Sequence, residues 1–456
     1  MKSVFAAGAE LAAYLKDHPE TEWLDALMID LCGNAFGKRL PVSQAGSVFG
    51  HGTPVCAAMQ LVDVIGNTAD PMGRGFSDGD PDGLARALPG RIAPVPWSGG
   101  KGAQVLCEMT GAADSEPFWY EPRNVLRGVL GRFQGLGLRP VAALELEFYL
   151  IDPARADGGA PLAPASPANG RRESRGQVLS LAKLDEFAPV LDAIRAAARD
   201  QGLPVTTMIS EYGAGQFEIN LLHRDDILAA ADDAALLRRV VQGAARAAGL
   251  DATFMSKPFA GASGNGLHIH LSLLDATGAN VLAAGHPDGD RMLGHAVAGL
   301  QATMHEAMAI FAPNLNVYRR FEPDAFTPVT RDWGVNNRSV AFRVPASPDG
   351  ASRRIEHRVA GAEANPYLVT AAVLAGVLYG IENRLCATEP HGGNAGSELA
   401  TDLPLTMWRA LDAMRGATLL PAYLGADYLK IYAEVKEAEF QAFMSEISAR
   451  EYEWYL

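Results

Sequence analysis

The chain has 456 residues and a formal net charge of −14, with 48% hydrophobic and 20% charged residues. At roughly 150 residues per domain, that length gives two or three units, or one small and one large, with enough chain for a sizeable core. The composition is that of a soluble globular enzyme, and the negative balance argues against a duplex nucleic-acid partner while favouring solubility or cationic ligands.

The first predicted element is a helix in "MKSVFAAGAELAAYLKDHPE", where Glu10 interrupts an apolar run too short for a secretory leader. "LDALMIDLCG" and "AAMQLVDVIG" predict strands, and "GRGFSDGDPDGLARALPG" and "VPWSGGKG" predict loops. "EPRNVLRGVLGRFQGLG" predicts a helix, after which strands alternate with longer helices. That change of texture sets a domain boundary near residue 110. "FAPVLDAIRAAARDQGL", "AALLRRVVQGAARAAGL" and "NPYLVTAAVLAGVLYGIEN" all carry helical periodicity. "ARADGGAPLAPASPANGRRESRG" and "ATEPHGGNAGSELATDLP" read as surface excursions. No run of 18 uncharged apolar residues occurs, so no membrane span is expected. Cys32, Cys56, Cys107 and Cys386 form no C-x-x-C pair, which suits the reducing cytoplasm rather than a zinc knuckle or disulfide scaffold.

In a strand, residues i and i+2 share a face. In "VAALELEFYL", Glu145 and Glu147 go to one side and Leu144, Leu146 and Phe148 to the other. Taken alone, this is a half-exposed strand with a wet face. In "GNGLHIHLSL", His268 and His270 share a face with Ser272, and a lone histidine there is more often a bonded core residue. In "RRIEHRVAG", Arg354, Glu356 and Arg358 share a face, and in "SEYGAGQFEINL" Glu211 and Glu218 flank a glycine turn. Together, the five carboxylates would repel one another unless a cation joined them. Mg²⁺ and Mn²⁺ prefer carboxylate oxygens, water and an occasional imidazole. Further arginines in "NVYRRFEP" and "NNRSVAFRVP" suit an anionic substrate or phosphate. No G-x-x-x-x-G-K-[ST] is present, so this is not a P-loop enzyme. The residues alone read as a metal-dependent enzyme that uses ATP.

In their order, "DLCGNAFGKRLP", "EPRNVL", "ELEFYL", "EYGAGQFEIN", "GNGLHIHLSL", "NVYRRFEP", "NNRSVAFRVP" and "RRIEHRVAGAEANPYL" resemble the glutamine synthetase superfamily, most of all its γ-glutamylputrescine and γ-glutamylpolyamine synthetase branch. The resemblance implies an α+β chain with a small N-terminal β-grasp domain (1–110) and a large catalytic domain (111–456) around a curved antiparallel sheet. It implies a dodecamer of two stacked hexameric rings, with sites shared between neighbours. The implied reaction joins the γ-carboxylate of glutamate to an amine through γ-glutamyl phosphate, with ATP as substrate and at least two Mg²⁺ or Mn²⁺ per site.

By matching position, Glu147, Glu211 and Glu218 would hold one metal, and Glu145, His268 and Glu356 the second. His270 and Ser272 would lie by the nucleotide. Arg320, Arg358 and the backbone of Gly264 would hold glutamate, and Arg338 and Arg343 the phosphates, with Arg338 steadying the transferring group. Asp30 would serve the amine site of a neighbouring subunit. The flap acid of glutamine synthetases is replaced by Phe326, and their F-D-G-S-S segment has no counterpart in "VFGHGTPVCAAM". Both departures favour a primary amine, putrescine or another polyamine first, over ammonia. Ethanolamine or an alkylamine is the alternative, as are ordinary glutamine synthesis from ammonia and a catalytically inactive structural or regulatory member. Asp324 stands either as a partner for a distal ammonium or as a solvated loop acid. Ser263 replaces an asparagine of the glutamate pocket, and the adenylylation segment of some bacterial relatives is missing.

Overall fold

A computed structural model describes residues 4–456. Strands β1 (Trp23–Ile29), β2 (Ala35–Pro41), β3 (Thr53–Cys56), β4 (Asp82–Pro94) and β5 (Gly102–Gly111) form one sheet in the order β2-β1-β5-β4-β3. Strands β1 and β5 are parallel and the other neighbours antiparallel. Leu24, Ala26 and Met28 of β1 point into a small core with Leu11 of the helix Gly8–Asp17. Leu27 and Ile29 point the other way, into the main core. Both faces are therefore covered, which is why β1 reads as a nearly continuous apolar run.

Two loop-and-strand expectations fail here. "AAMQLVDVIG" is not a strand: Ala57–Leu61 form a 3₁₀ helix, which buries Ala57, Ala58 and Leu61 together. The second half of "GRGFSDGDPDGLARALPG" is not a loop, since β4 begins at Asp82. Its Gly and Pro content masks the inward alternation of Ala85 and Ala87.

The second sheet contains β6 (Arg139–Ile151), β7 (Val205–Ser210), β8 (Gln216–Leu221), β9 (Asp251–Thr253), β10 (Leu267–Leu274), β11 (Trp333–Val335), β12 (Phe342–Val344) and β13 (Ile355–His357). Its order is β11-β12-β13-β10-β6-β8-β7, with β9 paired to the end of β6. It is curved and antiparallel except for the parallel pair β11–β12. One face buries Leu144, Leu146, Phe148, Ile219 and Ile269 in the main core. The opposite face carries the acids and histidines.

The helices Ile227–Ala247, Gly289–Phe311 and Pro366–Glu382 belong to that core. Pro366–Glu382 is buried almost all round, and Asn365 caps it by accepting from the backbone of Tyr367 and Leu368. It crosses Gly289–Phe311 so closely that a Cβ on Gly299 would meet Gly376 O at 2.0 Å. Ion pairs tie the small sheet to neighbouring helices. Glu108 of β5 pairs with Arg123 and Arg127 of the helix Pro122–Gly135, and Asp232 pairs with Arg91 and Arg123. Among the described residues, no helix is long and apolar enough to cross a membrane.

Candidate active site

Strand register brings the polar face together. Glu145 lies opposite His268, Glu147 opposite Glu218, and Glu356 opposite both His270 and Arg343. Two donor groups result: Glu145, His268 and Glu356 in one, and Glu147, Glu218 and His268 in the other. Within each, the donor atoms lie within 4.8 Å of one another. His268 stands between them, with Nδ1 3.4 Å from Glu145 and Nε2 4.0 Å from Glu147. Glu211, expected with Glu147 and Glu218, lies just past β7 at the rim of this group.

The charges set what the site can hold. Burial, then repulsion from Glu145 and Glu147, pushes the Glu218 carboxyl up to about 9. Burial, then Glu147, pushes Glu211 up to about 7. Burial also raises Glu145, but His270 and His268 outweigh it and hold that carboxyl well below the usual range. For Glu356, burial is again the largest influence, yet Arg358 and the two histidines bring it down to about 2. The half of the site around Glu211 and Glu218 therefore has more negative charge than its neighbours neutralise. Carboxylates with one imidazole, closely spaced and short of cation, fit hard divalent ions.

Arginines border the acids. Arg343 donates to Glu356 at 2.7 Å, and Arg358 donates to its other oxygen. Arg320 is buried and donates to Val359 O at 3.2 Å. Burial lowers its guanidinium to about 10, with Glu147 opposing. The Nε atoms of Arg320, Arg343 and Arg358 are buried without a hydrogen-bond partner among the described residues. Arg338 is exposed on the loop between β11 and β12 and makes no hydrogen bond or ion pair among the described residues. That loop is pinned beneath it, because Asn337 Nδ2 donates to the carbonyls of His391 and Gly393.

The loop before β10 is set by contacts that a side chain would break. Gly266 N–H donates to Glu147 at 2.6 Å, and Gln216 Nε2 donates to Gly264 O at 3.0 Å. A Cβ on Gly264 would meet Arg320 Cγ at 2.6 Å. Tyr149 Oη donates to Ser263 O at 2.7 Å, a contact that does not depend on the side chain at position 263.

His270 is not free toward a nucleotide alone. Arg354 Nε lies 3.0 Å from its Nδ1, and its Nε2 lies 2.8 Å from Glu145. Glu145, His270, Ser272 and Arg354 line one cavity of about 900 Å³. Arg354 is the functional neighbour that role assignment missed. Its shared face with Glu356 was readable, but its partner on β10 was not.

Asp30 lies apart from the acids of its own chain. Asp30 is 3% exposed and follows β1, where both its oxygens accept from Asn34, at 2.8 and 3.4 Å. Burial pushes its carboxyl up to about 6, against those bonds. This is the surrounding of a turn-closing acid. Phe326 is exposed and rests against Tyr212, the residue after Glu211. Asp324 is held by Asn394 Nδ2 at 2.8 Å.

Comparison with known proteins agrees with this face. The family model "Glutamine synthetase, catalytic domain" matches residues 119–455. A γ-glutamylputrescine synthetase of Escherichia coli (strain K12) is 38% identical over 447 residues, 98% of this chain and 94% of that one. A glutamate–isopropylamine ligase of Pseudomonas sp is 34% identical, covering 80% of each chain. A γ-glutamylethanolamide synthetase of Streptomyces coelicolor (strain ATCC BAA-471 / A3(2) / M145) is 33% identical, covering 91% and 88%. The solved structure "Apo GmaS without ligand" superposes with a TM-score of 0.82 at 28% identity, covering 98% of this chain and 99% of that one. The matched region takes in every strand of the acidic face, and the chain belongs to the glutamine synthetase family.

Proposed function

We propose that the chain is an ATP-dependent ligase that joins the γ-carboxylate of glutamate to a primary amine, with putrescine or another polyamine the favoured acceptor. The observation that carries this reading is the paired donor groups around His268, bordered by arginines with unsatisfied Nε atoms. A member that had lost catalysis would have no reason to keep this costly set of buried like charges.

Glutamate's γ-carboxylate attacks the γ-phosphate of ATP, giving γ-glutamyl phosphate and ADP, and the amine then displaces phosphate. Arg320 and Arg358 orient glutamate, with Gly264 lending its backbone. Arg343 and the exposed Arg338 meet the phosphoryl oxygens, and Arg338 steadies the group in transfer. His270, Ser272 and Arg354 face the nucleotide. Glu145, Glu147, Glu211, Glu218, His268 and Glu356 would hold at least two Mg²⁺ or Mn²⁺, which when bound neutralise charge on the transferring phosphoryl group. Within its own chain Asp30 closes the turn after β1, and it would serve the amine site of a neighbouring subunit, as cation partner and base for the proton the amine loses.

Three amine ligases among the relatives support an amine acceptor, and the isopropylamine and ethanolamide enzymes support a monoamine as the second reading. Phe326 supports an alkyl chain over ammonia. The mixed five-stranded sheet with its helix supports a β-grasp unit for 1–110 and a catalytic domain for 111–456. The apolar residues left exposed near residue 450 support the twelve-subunit double ring with shared sites, and four unpaired cysteines suit the cytoplasm. The test is phosphate release and product mass with ATP, glutamate and a panel of amines. Putrescine should exceed ammonia in kcat/KM by at least about tenfold, which needs only about 1.4 kcal/mol. Glutamine formed from ammonia faster than any other product would defeat the reading.

A further inference from the structure

Two exposed aromatic rings touch beside the acids. Tyr212 is 53% exposed and Phe326 56%, with centroids 5.8 Å apart and planes tilted 31°. They come from different loops, and both loops are braced. Behind Tyr212, a Cβ on Gly213 would meet Tyr149 Oη at 1.8 Å, and one on Gly176 would meet Tyr212 O at 2.1 Å. Behind Phe326, Asp324 N–H donates to Gly396 O at 2.8 Å while Asn394 holds the Asp324 carboxylate. Asp324 takes a left-handed φ of 57° to do so. The backbone is thus fixed and the ring faces are left open, at a place one residue from Glu211. Packing does not explain such a pair, because neither ring is buried. Rings in this position offer apolar surface to an alkyl chain and a negative face to its ammonium group.

Resting on the amine-ligase reading, we propose that Tyr212 and Phe326 form the wall that seats the acceptor's alkyl chain. Acceptor choice is then set by chain length more than by a second ammonium. Each methylene laid against the rings tightens binding by about three- to fourfold. Asp324 is exposed, so its pairing with a distal ammonium contributes less than about fivefold.

The experiment measures KM for n-alkylamines from ethyl to hexyl and for the matching diamines, in wild type and in Tyr212→Ala, Tyr212→Phe, Phe326→Ala and Asp324→Asn. Wild-type KM should fall with each added methylene until the wall is filled. Both alanine variants should flatten that slope and raise KM for butylamine by about tenfold, with KM for ATP and glutamate moving less than about twofold. Tyr212→Phe should keep the slope, and Asp324→Asn should change the diamine-to-monoamine ratio by less than about fivefold. A slope that survives in both alanine variants overturns the wall, and so does loss of a tenfold diamine preference in Asp324→Asn. A wild type that ligates no amine overturns the ligase reading instead, before any variant is compared.

Discussion

A methyl group at Gly264 has nowhere to go, because Arg320 Cγ would lie 2.6 Å away and Ser256 O 2.8 Å away. Gly264→Ala should therefore displace the Arg320 guanidinium and lower kcat/KM for glutamate by about a hundredfold, with KM for ATP much less affected. Glu147→Ala should abolish turnover while the fold persists, since Glu147 joins the donor group around His268 and ties down Gly266 N–H. Near-normal turnover at saturating Mg²⁺ would remove it from the metal set. Asp30 supplies a test that separates structure from catalysis. Its folded pKa, about 6, stands above the ordinary 3.8 because of burial. The group therefore contributes stability fully below about pH 4, and that contribution is lost as pH rises through 6. Asp30→Asn, which keeps an acceptor for Asn34 N–H, should flatten that window and be more stable than wild type at pH 8 by roughly 1–3 kcal/mol. Urea midpoints across pH measure this. A variant that folds but loses turnover about a hundredfold would support Asp30 at the amine site, and unchanged turnover would confine it to the turn.

At the scale of elements, buried acids tie the small sheet to the helices Pro122–Gly135 and Ile227–Ala247, beside the apolar contact made by Leu27 and Ile29. Asp232 is 1% exposed and accepts from Arg91, Arg123 and Tyr367 Oη. Asp232→Ala should take one of two acidic partners from each of Arg91 and Arg123, which keep Asp233 and Glu108, and cost about 1–3 kcal/mol, read as a lower unfolding midpoint with the strands themselves intact. The elements also show what the sequence made legible. The i, i+2 rule placed Glu145 with Glu147 and His268 with His270 correctly, because a strand's two faces are a local property. It did not reveal that Glu145 would stand opposite His268, since register is fixed by pairing between distant strands. The Tyr212–Phe326 contact is nonlocal in the same way, and so is Arg354 on His270. β4 was hidden for a different reason: small alanines alternate there among Gly and Pro, so a strand looked like a loop. "AAMQLVDVIG" erred in the opposite direction, since an apolar run too short to show a period fits a buried 3₁₀ turn as well as a strand.

At the scale of the whole molecule, the isolated chain leaves apolar surface that a soluble protein does not keep bare. Phe443, Met444 and Ile447 are exposed at the end of the helix Ala426–Met444 and just after it, and Tyr452, Trp454, Tyr455 and Leu456 are exposed along or beyond the helix Ala449–Tyr455. A second apolar set, Val64, Ile65 and Phe76, lies on loops of the small sheet's unit, away from that segment in sequence. Val64 and Ile65 nevertheless line one cavity with Phe440 and Phe443, so the two sets adjoin in space, and an exposed apolar surface of this extent suits contacts between subunits. Residues 445–456 bury little against their own chain, so they are the candidate for the contact that stacks one ring on the other. Removing residues 445–456 should then halve the assembly rather than dissolve it. Wild type should show a mass near twelve times the 48.4 kDa of the chain, and the shortened protein a mass near six times. Light scattering behind a sizing column measures both. Single monomers from the shortened chain would mean that this segment closes the ring, and an unchanged mass would mean that neither contact uses it.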